Sequence, residues 1–151
     1  MKKILLLLLC SSSLMLSAQE NYTNPKETIK TFFEAFHEQD TSKLRSLALD
    51  ELQLKSISTD ENGELKITTE KYADFLKSIK NIPSNLIFEE RLLSYEINTD
   101  GNLANVWTPY EFYLNGELSH CGVNNFQLVK TENDWKIISI VDTRRKNACQ
   151  E

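Results

Sequence analysis

Apolar positions recur at helical spacing along the first part of the chain. Ile29, Phe32, Phe33 and Phe36 fall at i, i+3, i+4 and i+7, the stripe of an amphipathic helix over 25–39. Asn24 suits its cap, Pro25 its first position, and Glu27 completes a capping-box-like pair. Asp40 and Thr41 end that helix and start a shorter one over 41–49, whose buried side is Leu44, Leu47 and Ala48. Residues 51–58 then alternate, with Leu52 and Leu54 on one face of a predicted strand. Turn chemistry at 60–63 (DENG) allows 65–67 to return as its partner. Thr69 is the expected cap of a third helix, 69–80, with Tyr72, Phe75, Leu76 and Ile79 inward and Pro83 beyond its end.

From residue 86 onward the period changes to two. Residues 86–97 predict one long strand, with Leu93, Tyr95 and Ile97 on one face. Asp100-Gly101 turns it into 103–114, rich in aromatic and β-branched types. Asn115-Gly116 is the strongest hairpin signal in the chain and leads into 117–130. A turn at 131–134 opens the last strand, 135–143. Three helices followed by an antiparallel meander predict an α+β plan: a cone-shaped roll, three N-terminal helices packed on a curved antiparallel sheet. Pro109 lies inside a strand and predicts a bend there, because a strand proline sits at an edge or a bulge.

Composition and charge narrow the class. With 151 residues, 40% hydrophobic and 26% charged, the chain has the make-up of one globular domain. Its net charge of −5 and the lack of a basic run among the elements argue against nucleic acid and anionic membranes as partners. Residues 1–18 have the order of a secretory leader: Lys2 and Lys3, the apolar run 4–9, then small Ser17 and Ala18. That run is far shorter than the roughly twenty residues of a membrane span. Cleavage is expected after Ala18, with a lipoprotein acylated at Cys10 as the alternative. The mature chain is expected to be exported, periplasmic or secreted, with no membrane attachment. It would have a flexible lead-in at 19–24, a domain over 25–143 and a tail at 144–151. Cys121 and Cys149 remain after cleavage and can pair in an oxidising compartment or stay as free thiols. Counting back from the 131–134 turn sets Cys121 opposite Arg144, from where the tail could return Cys149 to it.

Three stretches carry a family resemblance: the opening helix 28–37 (TIKTFFEAFH) followed by 40–44 (DTSKL), the strand 102–107 (NLANVW), and the closing 133–138 (NDWKII). In that order, the chain resembles the nuclear-transport-factor-2-like superfamily over about 25–143. It is most similar to the small secreted bacterial members grouped as SnoaL-like and lumazine-binding-like. The resemblance implies a cone-shaped roll that often dimerises through its sheet. Functions in the superfamily range from small-molecule isomerases, cyclases and dehydratases to binding domains, so the fold does not fix the activity.

Candidate chemistry is sparse. There is no Gly-x-Ser-x-Gly, no phosphate-cradling loop and no HExxH, and only four glycines in all. His37 and His120 are the only histidines and fall on different elements, so neither a metal site nor a cofactor is expected. A two-residue turn at Asn115-Gly116 predicts Glu111 opposite His120 and Trp107 opposite Asn124, all on one face. Tyr110, Thr108 and Cys121 would lie on the other, and a bulge at Pro109 would flip only the far end. Glu111 beside His120 reads either as a proton-transfer pair or as an exposed cross-strand ion pair. Asp142 interrupts the apolar run 137–141. It reads either as a cavity base, the role that an Asp or His on the cavity-lining sheet often has in the superfamily's enzymes, or as a partner of Arg144 or Arg145. Trp107, Tyr110 and Asn124 are the candidate ligand contacts. The expected function is binding of a small apolar organic molecule. The alternatives are an acid–base enzyme using Asp142 or His120, and an interaction module using the sheet face.

Overall fold

A computed structural model describes residues 24–147 and 149. The leader expected at 1–18 with its expected cleavage site, Cys10 and the expected lead-in at 19–24 lie outside the described residues, except for Asn24. The chain runs α1 (Pro25–His37), α2 (Thr41–Ser46), β1 (Ala48–Thr59), β2 (Leu65–Lys71), α3 (Tyr72–Lys80), β3 (Phe88–Leu92), β4 (Glu96–Asp100), β5 (Leu103–Leu114), β6 (Glu117–Lys130) and β7 (Trp135–Arg144). It is an α+β roll in which the helices cover one face of a curved sheet.

The helix starts follow their caps. The Asn24 side chain accepts from the Glu27 amide at 2.9 Å, and the Asp40 side chain from the Lys43 amide at 2.9 Å. The third helix departs from expectation: Thr69 does not cap it. Residues 65–71 stay in β2, paired along β1, and α3 starts at Tyr72 with no side-chain cap at Lys71. The Tyr72 hydroxyl donates to the Leu44 carbonyl at 2.6 Å and ties α3 to α2 instead.

The strand order is β2-β1-β7-β6-β5-β3, with β4 also on β5. All pairs are antiparallel except β1–β7, which is parallel and corrects the expectation of a wholly antiparallel sheet. Hairpin signals set direction only between strands adjacent in sequence. β1 and β7 lie at opposite ends of the chain, so no turn constrains them.

The single strand expected at 86–97 is two. Leu92 faces Tyr110 and Glu96 faces Trp107, so three residues of one strand oppose two of β5. The break falls at Pro109, which has no amide hydrogen to give; its carbonyl accepts from the Leu93 amide at 2.9 Å. Further shifts at Phe112/Tyr113 and at Gln127/Leu128 bend β5, β6 and β7 around the helices.

Between helices and sheet lies a phenylalanine core. Phe126 of β6 is fully buried and meets Phe32 and Phe33 of α1 edge-on, with ring centroids 5.6 and 5.9 Å apart. At position 122 of β6, only glycine fits against β7. A Cβ on Gly122 would stand 1.8 Å from the Thr143 carbonyl oxygen and 3.0 Å from the Tyr110 ring. The expected link between Cys121 and Cys149 is present as a disulfide with Cα atoms 5.6 Å apart. Cys121 bridges Arg145 rather than Arg144, because the β7 register slips by one at Gln127/Leu128.

Candidate functional site

The concave side of the sheet does not close fully on the helices. A cavity of about 330 Å³ remains, and all seven phenylalanines of the chain line it. α1 supplies Phe32, Phe33 and Phe36, α3 supplies Phe75, and the strands supply Phe88, Phe112 and Phe126.

Polar groups gather on the sheet wall. Five neighbouring strands each contribute one or more: Glu90 from β3, Tyr110 from β5, His120 and Asn124 from β6, Asp142 and Arg144 from β7, and Ser56 from β1 behind Asp142. The register explains their meeting, since Glu90 pairs with Phe112, Phe112 with His120, Asn124 with Asp142, and Ser56 with Asp142. Cross-strand partners share a face.

Their bonding is specific. Asn124 Nδ2 donates to Glu90 Oε1 at 2.6 Å. Asp142 is buried and accepts twice, from Ser56 Oγ at 2.5 Å and from Arg144 Nε at 2.8 Å. The Tyr110 hydroxyl donates to the Thr143 carbonyl at 2.9 Å. His120 stacks on Phe112, centroids 4.8 Å apart, and its Nδ1 lies 3.2 Å from Ser119 Oγ. Behind the wall, the Glu90 amide donates to His37 Nε2 at 2.9 Å, which fixes β3 to the end of α1.

Burial and charge tune these groups. Desolvation pushes the Glu90 carboxyl up to about 7, helped by the negative Asp142 and opposed by the Asn124 hydrogen bond and Arg144. Desolvation, with Asp142 and Glu90 nearby, raises Tyr110 well above the usual phenol range and keeps it a neutral donor. His120 is lowered by desolvation and by the cations Arg144 and Lys146, against the pull of Asp142. His37 is lowered by desolvation. Chemically the wall offers a carboxyl that changes charge near neutrality, a guanidinium, an amide and an imidazole, facing an aromatic chamber. Among the described residues, no three His, Cys, Asp or Glu side chains cluster as metal ligands.

Of the residues singled out from sequence, Asp142, His120, Tyr110 and Asn124 line the cavity. Glu111 and Trp107 do not. Glu111 stands opposite Cys121, not His120, and accepts from the Tyr113 hydroxyl at 2.8 Å. Trp107 stands opposite Asn125, not Asn124, and is 42% exposed on the outer face. The cause is one extra residue. Leu118 faces Tyr113 as the turn predicts, but His120 faces Phe112, so Ser119 bulges and every pairing beyond it moves by one. The bulge fell beside the turn, not at Pro109, which pairs with Val123 without a shift in β6. Tyr110 and Thr108 consequently share the concave face with His120 and Asn124. Asp142 does bridge Arg144, as one of its two readings held.

Glu90 and Ser56 escaped the sequence reading, and Arg144 entered it only as a partner of Asp142. A signal for Glu90 was available: in 88–92 (FEERL), period two puts Glu90 on the same face as Phe88 and Leu92.

No family model matches the chain, and no curated protein matches it. Solved structures do match in fold. A candidate dehydratase of the NTF2-like family from Streptomyces avermitilis is 18% identical, with 80% of this chain and 92% of that one covered at a TM-score of 0.60. An NTF2-like protein from Cytophaga hutchinsonii is 17% identical, covering 82% and 100% at 0.61. The beta subunit of a candidate aromatic-ring-hydroxylating dioxygenase from Novosphingobium aromaticivorans is 10% identical, covering 80% and 86% at 0.64. The chain therefore has the nuclear-transport-factor-2-like fold, in agreement with the resemblance read from its motifs. At these identities the likeness extends to the fold alone.

Proposed function

We propose that this domain binds a small organic molecule in the cavity between its helices and its sheet. The observation that carries the reading is the chamber itself: about 330 Å³, walled by every phenylalanine in the chain, with convergent polar groups on the sheet side. A core built only for stability would fill that space, since interiors are close-packed and voids larger than a water molecule are few. The apolar body of the ligand stacks on the phenylalanines, while Asn124 and His120 fix its polar end. We read the protein as exported, which the leader-like segment 1–18 and the Cys121–Cys149 disulfide support. We read its outer sheet face, with Trp107 exposed, as a surface for pairing with a second copy.

Native mass spectrometry of the protein purified from its own host tests this reading. A retained small-molecule mass is expected, and Ser78→Trp should remove it by placing an indole at the cavity lining. An unliganded mass, with Ser78→Trp indistinguishable from wild type, would overturn it. The same spectrum reports monomer or dimer.

A second reading, an acid–base enzyme in the same cavity, is favoured by one observation: the Glu90 carboxyl sits at about 7 beside Asn124. A carboxyl poised there gives or takes a proton at neutral pH. The fold neighbour described as a candidate dehydratase is consistent with that chemistry. If the retained molecule is a substrate, Glu90→Gln should abolish its turnover and leave its binding intact. Unchanged turnover would remove Glu90 from the chemistry.

A further inference from the structure

A second concavity adjoins the cavity. A groove of about 680 Å³ runs between the far end of the β1–β2 hairpin and the C-terminal tail. His120 and Arg144 line both spaces, so the two adjoin at these side chains. Four cations line the groove, Lys66, Arg144, Arg145 and Lys146, against two carboxylates, Asp60 and Glu61. The whole chain carries −5, so this is a local reversal of sign beside an apolar chamber.

The backbone carrying Arg145 and Lys146 is held by the fold. Cys121 and Arg145 exchange backbone hydrogen bonds at 2.9 Å, and the Cys121–Cys149 disulfide anchors the tail beyond Lys146. Arg144 is oriented by its Nε bond to buried Asp142 at 2.8 Å, and about half its side-chain surface is exposed. Arg144 is paired with Asp142, while Lys66, Arg145 and Lys146 stand against Asp60 and Glu61, so the groove keeps one cation more than its carboxylates once that pair is set aside.

We propose that the ligand is an amphipathic organic anion, with its apolar body in the phenylalanine cavity and its anionic group in the groove among Arg144, Lys66, Arg145 and Lys146. This rests on the binding function proposed above and assigns the class of ligand. An anion at the groove end gains charge-assisted hydrogen bonds from the guanidinium and ammonium groups. The apolar body gains the desolvation of the aromatic wall.

Two fluorescent probes of matched aromatic skeleton separate the parts: 8-anilinonaphthalene-1-sulfonate, an anion, and N-phenyl-1-naphthylamine, its neutral counterpart. The variant Lys66→Gln/Arg145→Gln/Lys146→Gln removes three groove charges, and Lys26→Gln/Lys30→Gln/Lys43→Gln removes three charges from α1 and α2 and their surroundings. The groove variant should weaken the sulfonate probe by about tenfold and leave the neutral probe within about twofold, while the control should change neither by more than about twofold. Raising salt should erase the sulfonate advantage in wild type and have little effect in the groove variant. Equal loss for both probes, or equal loss in the groove and control variants, would overturn the anion assignment and leave the cavity reading standing. Failure of both probes to bind the wild type, or binding unaffected by Ser78→Trp, would overturn the cavity reading itself and the assignment with it.

Discussion

Glu90 is a carboxyl whose ionisation the fold resists, with a titration that falls near neutral pH. In the folded protein its carboxyl titrates at about 7, against 4.5 for a free glutamate side chain. A raised carboxyl means the folded state holds a proton that the unfolded chain has released. Stability from this group is therefore fully present below pH 4.5. It falls as pH rises from 4.5 to about 7, and stays at its lower value above that. The gap is worth about 3 kcal/mol. Glu90→Gln removes the ionisation and keeps an oxygen for the Asn124 amide, the one side-chain hydrogen bond Glu90 makes with that residue.

The variant should match wild type near pH 4 and exceed it by about 2–3 kcal/mol above pH 8, with the difference developing between pH 4.5 and 7. His37 and His120 act in the opposite sense. Their lowered values mean stability present above the free-histidine value of 6.5 and lost as pH falls below it. Both histidines remain in the variant, so the difference between the two proteins isolates Glu90. Urea unfolding at a series of pH values, followed by tryptophan fluorescence, measures it. A difference that is flat with pH, or a variant less stable than wild type at pH 8, would refute the account of Glu90 as a desolvated carboxyl.

Three further outcomes follow from the packing. Gly122→Ala should cost about 3 kcal/mol, because its Cβ would meet the Thr143 carbonyl oxygen at 1.8 Å and backbone must shift; an unchanged urea midpoint would refute the close approach. Loss of the disulfide, in Cys121→Ser/Cys149→Ser or by reduction, should cost about 3–4 kcal/mol for two residues 28 apart in sequence, read by calorimetry; two free thiols in the unreduced protein would remove the premise. Thr108→Val should stabilise by about 1 kcal/mol, because the Thr108 hydroxyl is fully buried with no hydrogen-bond partner among the described residues; destabilisation in thermal unfolding would mean the hydroxyl has one.

Much of the scaffold was legible because its signals are local. Asn24 and Asp40 cap where their sequence positions indicate, Asn115-Gly116 makes its hairpin, and the α1 stripe of Ile29, Phe32, Phe33 and Phe36 is buried as its spacing requires. What escaped depends on pairing between distant segments. α3 starts at Tyr72 and not behind a Thr69 cap because β1 offers residues 65–71 a complete antiparallel partner, which outweighs a cap of about 1 kcal/mol. The parallel placement of β1 beside β7 has no local signature at all.

The candidate site shows how little separates a correct site from a wrong one. Hairpin geometry carries side-chain direction outward from the turn, and it holds for Leu114 with Glu117 and Tyr113 with Leu118. Ser119 then breaks the count. Composition gives no warning, because a small polar residue in a strand fits a regular pair as well as a bulge. The consequence is large because the period is two: one inserted residue exchanges the faces of everything beyond it. His120 and Asn124 keep company with each other, since both lie past the bulge on one strand, but their partners on β5 change from Glu111 and Trp107 to Phe112 and Thr108. The carboxylate that joins Asn124 comes instead from β3, where Glu90 follows Phe88 and precedes Leu92 on the inward face. A pair of inward apolar residues flanking a single inward acid is thus a stronger pointer to a cavity carboxyl than a pairing counted from a turn. It relies on alternation within one short strand and needs no register between strands.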